Sequence, residues 1–379
     1  MCTAAIIHNY PIHYEHLLFR ELKRQGLDFV VLFTAAGSKN RIETLALSQD
    51  IYRFRIGFRG PYERHPRLPT FRFIWGSLSE LTPEVVVISG WYDVAAWAAW
   101  YWAERYGRPR ILWAESNRFD RPRHFWSELP KRLFVRGCAA ANVYGVSNLE
   151  YLTWLGMPGE RIFTKRAVAD VERFVGAAVV PEHRPAHKVV LYVGRFSPEK
   201  NLEFLLRAFV RLSQDPTRPK LMLAMAGYGP LEGKLRGMVD ALGLQGLVEF
   251  WGSKRQEELP AVYRRADALV LPSVREPWGL VVLEAMLCGL PVLVSARCGC
   301  ARDLVTAETG WVFSPCDEAR LACLLEAVAD LPREKLQQMG SAGRALARQY
   351  SPENCARIVI ATIQKVLEEK SARSCSSAC

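Results

Sequence analysis

Two glutamates with a Pro-Trp-Gly break between them lie in segment 271–291, LPSVREPWGLVVLEAMLCGLP. The break puts Glu276 in a loop after a buried strand, and Glu284 in the first two turns of a helix that begins near Gly279. Free amides at a helix start, here those of Gly279 and Leu280, favour an anion such as a phosphate. A nearby carboxylate can accept hydrogen bonds from sugar hydroxyls. The alternative is that Glu284 only complements the helix dipole and Glu276 is solvated.

Two cations follow a strand end in segment 191–201, LYVGRFSPEKN. Gly194 allows the backbone to approach a ligand closely. Arg195 offers a forked donor for two phosphate oxygens, Lys200 adds a second positive charge, and a helix start follows. The segment is typical of a phosphate site, although a solvated loop with incidental charges would look the same.

Two further strand ends carry weaker signals. Gly227 and Gly229 follow the strand that ends in the sequence MA, and glycines there favour close approach of backbone to a ligand. Lys254 lies in the loop after FWG, which could present its backbone to a nucleotide base. Each feature is equally typical of a plain connection between a strand and a helix.

In this order and spacing, the segments VGRFSPEKN, AGYGPL, FWG and EPWGLVVLEAMLCGLPV resemble the donor domain of glycosyltransferase family 4. The resemblance is tight between residues 190 and 310 and extends to the first half only as a general pattern. It implies an α/β fold of the GT-B type, with two Rossmann-like domains facing each other across a cleft and a C-terminal helix crossing back to the first domain. It also implies a retaining transfer of a sugar from a nucleotide diphosphate sugar to an acceptor.

The resemblance assigns roles at the matching positions. Arg195 and Lys200 would hold the donor diphosphate, Glu276 would contact the donor sugar, and Glu284 would bind the ribose hydroxyls. We predict that Arg195, Lys200 and Glu276, together with Glu115 from the first half, are the catalytic residues. The remaining predicted donor-binding residues surround it in sequence: Gly194, Gly227, Gly229, Lys254, Pro277, Trp278, Gly279, Leu280 and Glu284.

No Asp-x-Asp pair occurs in the sequence, and metal-using GT-A enzymes normally need that pair for a divalent ion. We therefore expect two cations and a helix start to neutralise the departing diphosphate. The predicted chemistry needs no metal ion and no cofactor besides the nucleotide-sugar co-substrate.

The first half would bind the acceptor, which we expect to be a glycan, a lipid-linked sugar or a small molecule. It opens with HNYPIHYEH in place of the glycine-rich loop of many family members, and His13 and Tyr14 are predicted on the acceptor side. Asn117 follows the strand ILWA and is predicted there too. Related enzymes often carry a histidine near this strand end, whereas this chain has Glu115, which could bind the acceptor or act as a base. An ordinary loop and a histidine that only caps the helix are the alternatives.

Six arginines alternate with aromatic residues in segment 51–73, against a single acid, Glu63. Such a stretch could lie on an anionic bilayer, bind a phosphorylated acceptor or stack on nucleic-acid bases. The alternative is a pair of strands with a solvated basic face. We predict peripheral contact with an anionic membrane, and we do not expect a nucleic-acid partner.

Strand-like and helix-like segments alternate along most of the chain, which predicts parallel sheets with crossover helices. The strands are expected at 4–8, 29–34, 85–89, 111–113, 141–145, 189–193, 221–226, 248–250, 268–271 and 292–295. The predicted organisation is an acceptor domain at 1–173, a linker at 174–188, a donor domain at 189–350, a returning helix at 351–370 and a flexible tail at 371–379.

The composition fits a chain of two globular domains. Its 50 Lys and Arg against 39 Asp and Glu leave a formal charge of +11, which suits phosphate-bearing ligands or an anionic surface. The ten cysteines do not resemble a disulfide framework, no signal peptide is visible, and the apolar segment 85–103 is better explained as a strand, a turn and a helix than as a membrane span. A cytoplasmic enzyme is therefore expected. The rival functions are a nucleotide-sugar epimerase or phosphorylase on the same scaffold, and a non-catalytic sugar-binding relic.

Overall fold

The computed structural model describes residues 2–39, 48–120, 125–176, 187–213 and 221–376. The chain forms two compact units. The N-terminal unit contains Met1–Arg118, Pro122–Val168 and Pro352–Cys379, and the C-terminal unit contains Phe119–Arg121 and Ala169–Ser351. The division after Val168 lies five residues before the predicted end of the first domain. Most of the predicted linker, residues 177–186, lies outside the described residues.

The N-terminal unit is a seven-stranded parallel sheet with helices between its strands. Its strands are β1 (Ala4–His8), β2 (Phe29–Gly37), β3 (Arg53–Pro61), β4 (Val85–Ser89), β5 (Arg110–Ala114), β6 (Ala140–Val143) and β7 (Ile162–Phe163). Its helices are α1 (His13–Arg24), α2 (Arg67–Leu81), α3 (Val94–Arg105), α4 (Phe125–Arg136) and α5 (Val146–Leu155). The strand order is β3-β2-β1-β4-β5-β6-β7, so the chain reverses direction across the sheet between β1 and β4.

The central strands of this sheet are apolar up to their last residue, and helices cover both of their faces. Every residue of β1 is buried, as are Val85 to Ile88 of β4. Parallel strands covered on both sides have this continuous pattern rather than an alternating one. This explains why short runs of small and β-branched residues sufficed to predict them.

The C-terminal unit repeats the same arrangement with six parallel strands. Its strands are β8 (Lys188–Val193), β9 (Leu221–Ala226), β10 (Val248–Gly252), β11 (Ala268–Leu271), β12 (Val292–Ser295) and β13 (Gly310–Phe313). Its helices are α6 (Val171–Gly176), α7 (Leu202–Ser213), α8 (Glu232–Ala241), α9 (Leu259–Arg264), α10 (Leu280–Leu287), α11 (Ala301–Leu304), α12 (Glu318–Asp330) and α13 (Arg333–Ala347). The strand order is β10-β9-β8-β11-β12-β13, with the reversal between β8 and β11.

The last helix, α14 (Pro352–Ser376), belongs to the N-terminal unit although it follows the C-terminal unit in sequence. Two side-chain hydrogen bonds tie it there: the Asn142 amide donates to the Thr362 hydroxyl at 2.8 Å, and the Gln25 amide donates to the Glu353 carbonyl at 3.1 Å. The predicted returning helix is thus present, and it continues six residues beyond its predicted end at 370.

Segment 51–73 forms an edge strand and a helix. Tyr52 is buried, and the other aromatic side chains of the segment are half-buried, so Leu68 is its one strongly exposed large apolar side chain among the described residues. Two of its arginines form ion pairs within the unit, Arg53 with Asp28 and Arg55 with Glu80. The aromatic side chains therefore contribute to packing within the unit. The exposed surface of segment 51–73 carries charge but little apolar area.

The apolar segment 85–103 forms β4 and α3, as predicted, and Asp93 caps α3 by accepting a hydrogen bond from the Ala96 amide at 2.9 Å. None of the helices in the described ranges combines the length and the apolar character needed to cross a membrane. Eight cysteines of the described ranges are free thiols: Cys2, Cys138, Cys288, Cys298, Cys300, Cys316, Cys323 and Cys355.

Candidate active site

The predicted donor residues lie at the carboxyl ends of four neighbouring parallel strands in the C-terminal unit. Segment 194–200 follows β8, segment 227–229 follows β9, Lys254 follows β10, and segment 272–279 follows β11. The strand order reverses between β8 and β11. In open α/β sheets the crevice at this reversal is the usual ligand site, because loops from adjacent strands diverge there.

The glycine turns after β8 and β9 pack backbone against backbone. A Cβ atom on Gly227 would lie 1.8 Å from the Gly194 carbonyl oxygen, and one on Gly229 would lie 2.4 Å from the carbonyl oxygen of Phe196. The Gly194 amide also donates to the Ala226 carbonyl at 3.0 Å. Only glycine fits at position 227 or 229. The close contact between the two loops therefore requires the two glycines, whose sequence signal was weak.

Lys200 and Glu276 form an ion pair that joins the loops after β8 and β11, 76 residues apart in sequence. Both side chains are largely buried, with 17% and 13% of their surfaces exposed. The Ser273 hydroxyl donates to the same Glu276 oxygen at 3.3 Å. The structure thus brings together two of the residues predicted to be catalytic.

Backbone hydrogen bonds fix the two loops to each other. The Glu199 carbonyl accepts from the Val274 amide at 2.9 Å. The Asn201 side-chain amide donates to the carbonyls of Pro272 and Pro315, at 3.3 and 3.1 Å. Lys200 is therefore presented by a tightly tied turn rather than by a free loop.

Arg195 is half-exposed at the surface of the same edge. Its guanidinium contacts the Glu199 carboxylate at 3.2 Å, and its carbonyl accepts a hydrogen bond from the buried Tyr192 hydroxyl at 2.8 Å. Burial raises the pKa of Tyr192, the negative charges of Glu276 and Glu199 raise it further, and Arg195 opposes them. The tyrosine hydroxyl therefore keeps its proton and acts as a donor beneath the loop.

The backbone of Glu276 is held by the Cys-Gly-Cys segment. The Glu276 carbonyl accepts from the Gly299 amide at 3.0 Å, and the Trp278 carbonyl accepts from the Cys300 amide at 3.0 Å. Burial is the main reason why the pKa values of the Cys298 and Cys300 thiols are raised, and the charge of Glu276 contributes to both. These thiols are packing groups rather than nucleophiles.

Helix α10 begins directly after this segment. Gly279 stands at its N-cap with a φ of 107°, in the left-handed region that favours glycine. In the first turn, the Val282 amide donates to the Gly279 carbonyl at 2.9 Å, whereas an amide at the first helical position, such as that of Leu280, has no acceptor within an α-helix. The Leu280 amide lies at the same strand end as the ion pair, which is where a phosphate was predicted.

Three predicted donor residues are placed differently from the rest. Glu284 is buried and accepts a hydrogen bond from the Tyr263 hydroxyl of α9 at 2.6 Å. The Trp278 ring is buried against Tyr350, so its side chain belongs to the core and only its backbone is available to a donor. Lys254 lies in the loop after β10. Hydrogen bonds from Arg255 are the main cause that lowers the pKa of Glu258, and the charge of Lys254 lowers it further.

The N-terminal unit has a cavity of about 180 Å³ at its own strand reversal. It lies at the carboxyl ends of β1, β4 and β5. Its wall is mainly aromatic and polar and is formed by His8, Asn9, Tyr10, Ile12, Ser89, Gly90, Trp91, Tyr92, Trp113, Ala114, Glu115 and Ser116. No lysine or arginine is among these lining residues, so the cavity suits an uncharged polar ring better than a phosphate.

Glu115 is held at this cavity by a buried arginine. One oxygen of its half-exposed carboxylate accepts from the Tyr144 hydroxyl at 2.6 Å and from the Arg166 guanidinium at 3.1 Å. Arg166 also donates to Glu15 at 2.7 Å, and its guanidinium lies over the rings of Trp113 and Tyr144. The charge on Glu115 therefore has a fixed partner.

The other predicted acceptor residues do not line this cavity. His13 and Tyr14 open α1 and contact each other edge to face, 5.4 Å between ring centroids. Asn117 is fully buried, so its side chain supports the loop and is not available to an acceptor. The histidine that does line the cavity is His8, and burial lowers its pKa.

Sequence reasoning missed the residues that support both sites. In the C-terminal unit these are Tyr192, Glu199 and Tyr263, and in the N-terminal unit they are Glu15 and Arg166. The position of Glu199 inside the VGRFSPEKN segment was an available signal. No signal in the sequence connects Arg166 with Glu115 or Glu15, because 51 and 151 residues separate them.

No three His, Cys, Asp or Glu side chains converge as metal ligands in the part of the chain that the structure describes. The predicted independence of metal ions stays a prediction.

The match to a known protein family lies in the C-terminal unit. Residues 179–346 match the family model "Glycosyl transferases group 1". A glycogen synthase of Mycobacterium tuberculosis is 33% identical over 201 residues, which are 53% of this chain and 47% of that protein. The chain spans between 32% and 47% of the length of the first curated relatives that it matches.

Solved structures match over nearly the whole chain. The sucrose-phosphate synthase from Thermosynechococcus elongatus has a TM-score of 0.75 at 20% identity and is covered completely, as is this chain. The Anabaena protein HepE, in complex with UDP and glucose, has a TM-score of 0.71 at 19% identity, with 96% of this chain and 100% of HepE covered. These likenesses confirm the predicted α/β fold of the GT-B type.

Proposed function

We propose that the protein, whose residues 179–346 match the family model "Glycosyl transferases group 1", transfers a sugar from a nucleotide diphosphate sugar to an acceptor. The C-terminal unit binds the donor, and the N-terminal unit binds the acceptor. The observation that carries the proposal is the convergence of the Lys200–Glu276 pair, the packed glycine turns and the start of α10 at one sheet edge.

Each part of that edge has a role in holding a diphosphate sugar. The close contact of Gly227 with Gly194 leaves room for the nucleotide to approach the backbone. Lys200 and the first amides of α10 neutralise the diphosphate, and Arg195 exchanges Glu199 for a phosphate oxygen. Once Lys200 turns to the phosphate, Glu276 is released to accept hydrogen bonds from the sugar hydroxyls.

The same groups stabilise the reaction. Negative charge grows on the diphosphate as its bond to the sugar breaks, and fixed donors aimed at that charge lower the barrier. We propose that the acceptor hydroxyl attacks the face from which the diphosphate departs and passes its proton to the departing phosphate. The configuration of the sugar is then retained, and neither a metal ion nor an enzymic nucleophile takes part.

The cavity of the N-terminal unit supports a sugar-like acceptor. Tyr92, Trp91 and Tyr10 contribute aromatic rings to the cavity wall, the two tyrosines add hydroxyls, and Glu115 adds a carboxylate oxygen. Glycan and lipid-linked acceptors both present such a ring. Predicted acceptor residues His13 and Tyr14 keep that role only as a prediction, since they lie outside the cavity wall.

The central test compares two lysines that each pair with a glutamate in the C-terminal unit. Lys200→Ala is expected to lower donor turnover by about 10²–10³-fold, since it removes a donor to the departing charge. Lys234→Ala, which removes the exposed pair with Glu203 at 2.8 Å, is the matched control and should leave turnover unchanged. A thermal-shift screen with UDP-, GDP- and ADP-sugars first identifies the donor. Turnover is then measured as release of the nucleoside diphosphate.

Equal turnover of Lys200→Ala and Lys234→Ala would refute the assignment of the donor site. Two further measurements test the finer proposals. Full activity after treatment with EDTA is expected, and proton NMR of the product should show the anomeric configuration of the donor. Loss of activity that added magnesium restores, or an inverted product, would contradict the corresponding proposal while leaving the donor site intact.

A further inference from the structure

A second cavity of the N-terminal unit, about 510 Å³ in volume, lies at the opposite end of β5 from the cavity that Glu115 lines. Its wall includes the residues that lead into β5 and β6, so it lies at the amino ends of these strands. The ends of α3 and α4 and the last turns of α14 complete the wall. We call it the amino-edge cavity. Its volume falls within the range of about 300–1,000 Å³ that is usual for small-molecule sites.

The wall of the amino-edge cavity is strongly basic. Six cations outnumber two acids, Glu104 and Glu369, which gives a formal excess of +4. The six cations are Arg108, Arg110, Arg136, Arg161, Lys370 and Arg373. The cavity that Glu115 lines has no lysine or arginine in its wall, so the two ends of β5 differ sharply in charge.

Three of the six cations have no ion pair inside the protein. Arg110 contacts the Glu104 carboxylate at 2.5 Å. Within the described ranges, by contrast, no carboxylate lies within ion-pairing distance of Arg108, Arg136 or Arg161. The charge of these three arginines is therefore not compensated by a neighbouring acid.

The C-terminal unit has a cavity of about 340 Å³ at the amino ends of β11 and β12, and three arginines line it as well. Two of them have internal partners. Arg333 pairs with Asp267 at 3.0 Å, and Arg344 donates to the Leu287 carbonyl at 3.0 Å. Arginines at this edge of the C-terminal sheet thus connect parts of the unit, whereas those of the amino-edge cavity are left for an external anion.

Helix ends account for only part of the positive charge. α3 and α4 end at the wall, and Arg136 lies against the end of α5, where a Cβ atom on Gly156 would be 2.6 Å from its Nε. Each helix C-terminus carries about half a negative charge, so three of them offset roughly 1.5 of the excess. About +2.5 remains for a ligand.

The cations of the wall also repel each other. Lys370 is partly buried, and both this burial and the positive charge of Arg108 lower the pKa of its amine, while Glu84 opposes them. Like charges that the fold holds close together lose this repulsion when an anion binds between them. Binding of a multivalent anion is therefore favoured by the protein's own charges.

We propose that the amino-edge cavity binds a soluble ligand with two or more phosphate groups, such as a sugar bisphosphate. Guanidinium groups hold phosphate oxygens in a forked geometry. The remaining charge exceeds the value of about −1.5 to −2 that a single phosphate group carries, so it is matched by two phosphates rather than one. None of the described wall residues is aromatic, and nucleobases are usually held by aromatic rings, so a nucleotide is not favoured.

The test titrates the full chain with inorganic tripolyphosphate and with fructose 1,6-bisphosphate in a calorimeter, with fructose as the uncharged reference. Arg108→Gln/Arg161→Gln is expected to weaken binding of both anions by about tenfold to a hundredfold, since each substitution removes a charge-assisted hydrogen bond. The matched control is Arg59→Gln/Arg72→Gln, which removes the same charge from exposed positions of the same unit outside the wall. It should change the affinity by less than about twofold.

The same titrations on Lys200→Ala separate this site from the proposed donor edge, which also has phosphate-binding groups. Binding that Lys200→Ala abolishes and Arg108→Gln/Arg161→Gln leaves intact would overturn the inference, without bearing on sugar transfer. Equal losses in the two double variants would overturn it as well, as would a lack of saturable binding by both anions. Binding to phosphatidylglycerol vesicles but to neither soluble anion would make the ligand a lipid headgroup and would also reject the proposal.

A measurement on the wild-type chain keeps the proposal testable if a variant folds poorly. The lowered pKa of Lys370 leaves its amine reactive, so brief acetylation labels it. Saturating tripolyphosphate should reduce the labelling of Lys370 severalfold. Lys365, which is exposed on the same helix and outside the wall, should be labelled as before. Mass spectrometry measures both sites, and equal labelling of Lys370 with and without the anion would contradict the proposal.

Discussion

The two units share one strand order and one place for a site, yet they build that site from different materials. In the C-terminal unit the edge at the reversal is shaped by backbone, with glycine turns in contact at β8 and β9 and tied loops after β8 and β11. In the N-terminal unit the corresponding edge is a cavity of aromatic side chains around a carboxylate held by a buried arginine.

Under the proposed function, the difference shows how the same topology serves ligands of different chemistry. A diphosphate needs amides and cations at short range, which the closely approaching loops of the C-terminal unit would supply. A sugar-like acceptor needs ring faces and a fixed hydrogen-bond acceptor, which the side chains of the N-terminal cavity would supply. The first kind of site is damaged by added volume, and the second by removal of a buried charge.

The largest expected effect is on the backbone contact of the C-terminal unit. Gly227→Ala should lower the free energy of unfolding by about 5 kcal/mol, because its methyl group would overlap the Gly194 carbonyl and its φ of 153° disfavours any side chain. Urea unfolding followed by tryptophan fluorescence measures this change.

The matched control is Gly237→Ala, on an exposed position of α8 with no atom within 4 Å of the new Cβ. It should raise the free energy of unfolding by about 0.5–1 kcal/mol, since alanine is the better helix former. If the two variants unfolded at the same urea concentration, the contact between the glycine turns would have no energetic importance.

Removing the buried arginine of the N-terminal unit should have the next largest effect. Arg166→Met is expected to lower the free energy of unfolding by about 3–4 kcal/mol, because it leaves the buried Glu15 carboxylate without its cation. The double variant Arg166→Met/Glu15→Gln should recover part of this loss in the same urea assay. Arg207→Met, which breaks an exposed ion pair with Glu318, is the control and should change it by less than about 0.5 kcal/mol.

A smaller effect is expected at the buried Glu284 carboxylate of the C-terminal site. Tyr263→Phe removes the hydrogen bond to Glu284 and should cost about 2 kcal/mol of unfolding free energy, because a buried carboxylate loses a donor. Tyr228→Phe, at an exposed tyrosine of the same unit, should cost nothing measurable. Equal stability of the two variants would mean that Glu284 is satisfied without Tyr263.

The smallest effect concerns pH and the N-terminal cavity. Burial lowers the pKa of His8 below its ordinary 6.5, and nearby Glu15 and Glu115 oppose that shift. The unfolded chain therefore binds a proton more readily than the native protein, so the stability that neutral His8 contributes is present above pH 6.5 and is lost as the pH falls. Unfolding free energies measured from neutral pH down to about 5.5 should fall less steeply in His8→Asn than in the wild type, and identical slopes would contradict the prediction.

Much of the fold was predictable because parallel strands that are covered on both faces have short, uninterrupted runs of apolar residues in their sequence. β1, β4, β9, β11 and β12 match their predicted bounds. The edge strand β3 was predicted only as an alternative, because its residues alternate between charged and aromatic side chains. β13 and the two-residue β7 were missed, because neither has a run long enough to distinguish a strand from a loop.

The residues predicted for the donor site were easier to place on the fold than those predicted for the acceptor site, for a related reason. Arg195, Lys200 and Glu276 stand in short segments whose spacing is set by a strand end and a helix start. Glu115 was found in the same way, by its position after a strand. Trp278 and Asn117 show the limit of this reasoning, since their place beside a site could be predicted but their burial could not.

By itself, the sequence determined the alternation of strands and helices and the positions of the charged residues that follow the strands. These are local properties, set by the spacing of apolar and polar residues along a few turns of chain. Only the tertiary structure decided that Lys200 meets Glu276, that Arg166 joins Glu15 to Glu115, and that the cations of the amino-edge cavity share one wall. Each of these depends on segments far apart in sequence, and on which side of an element remains exposed once its neighbours have packed.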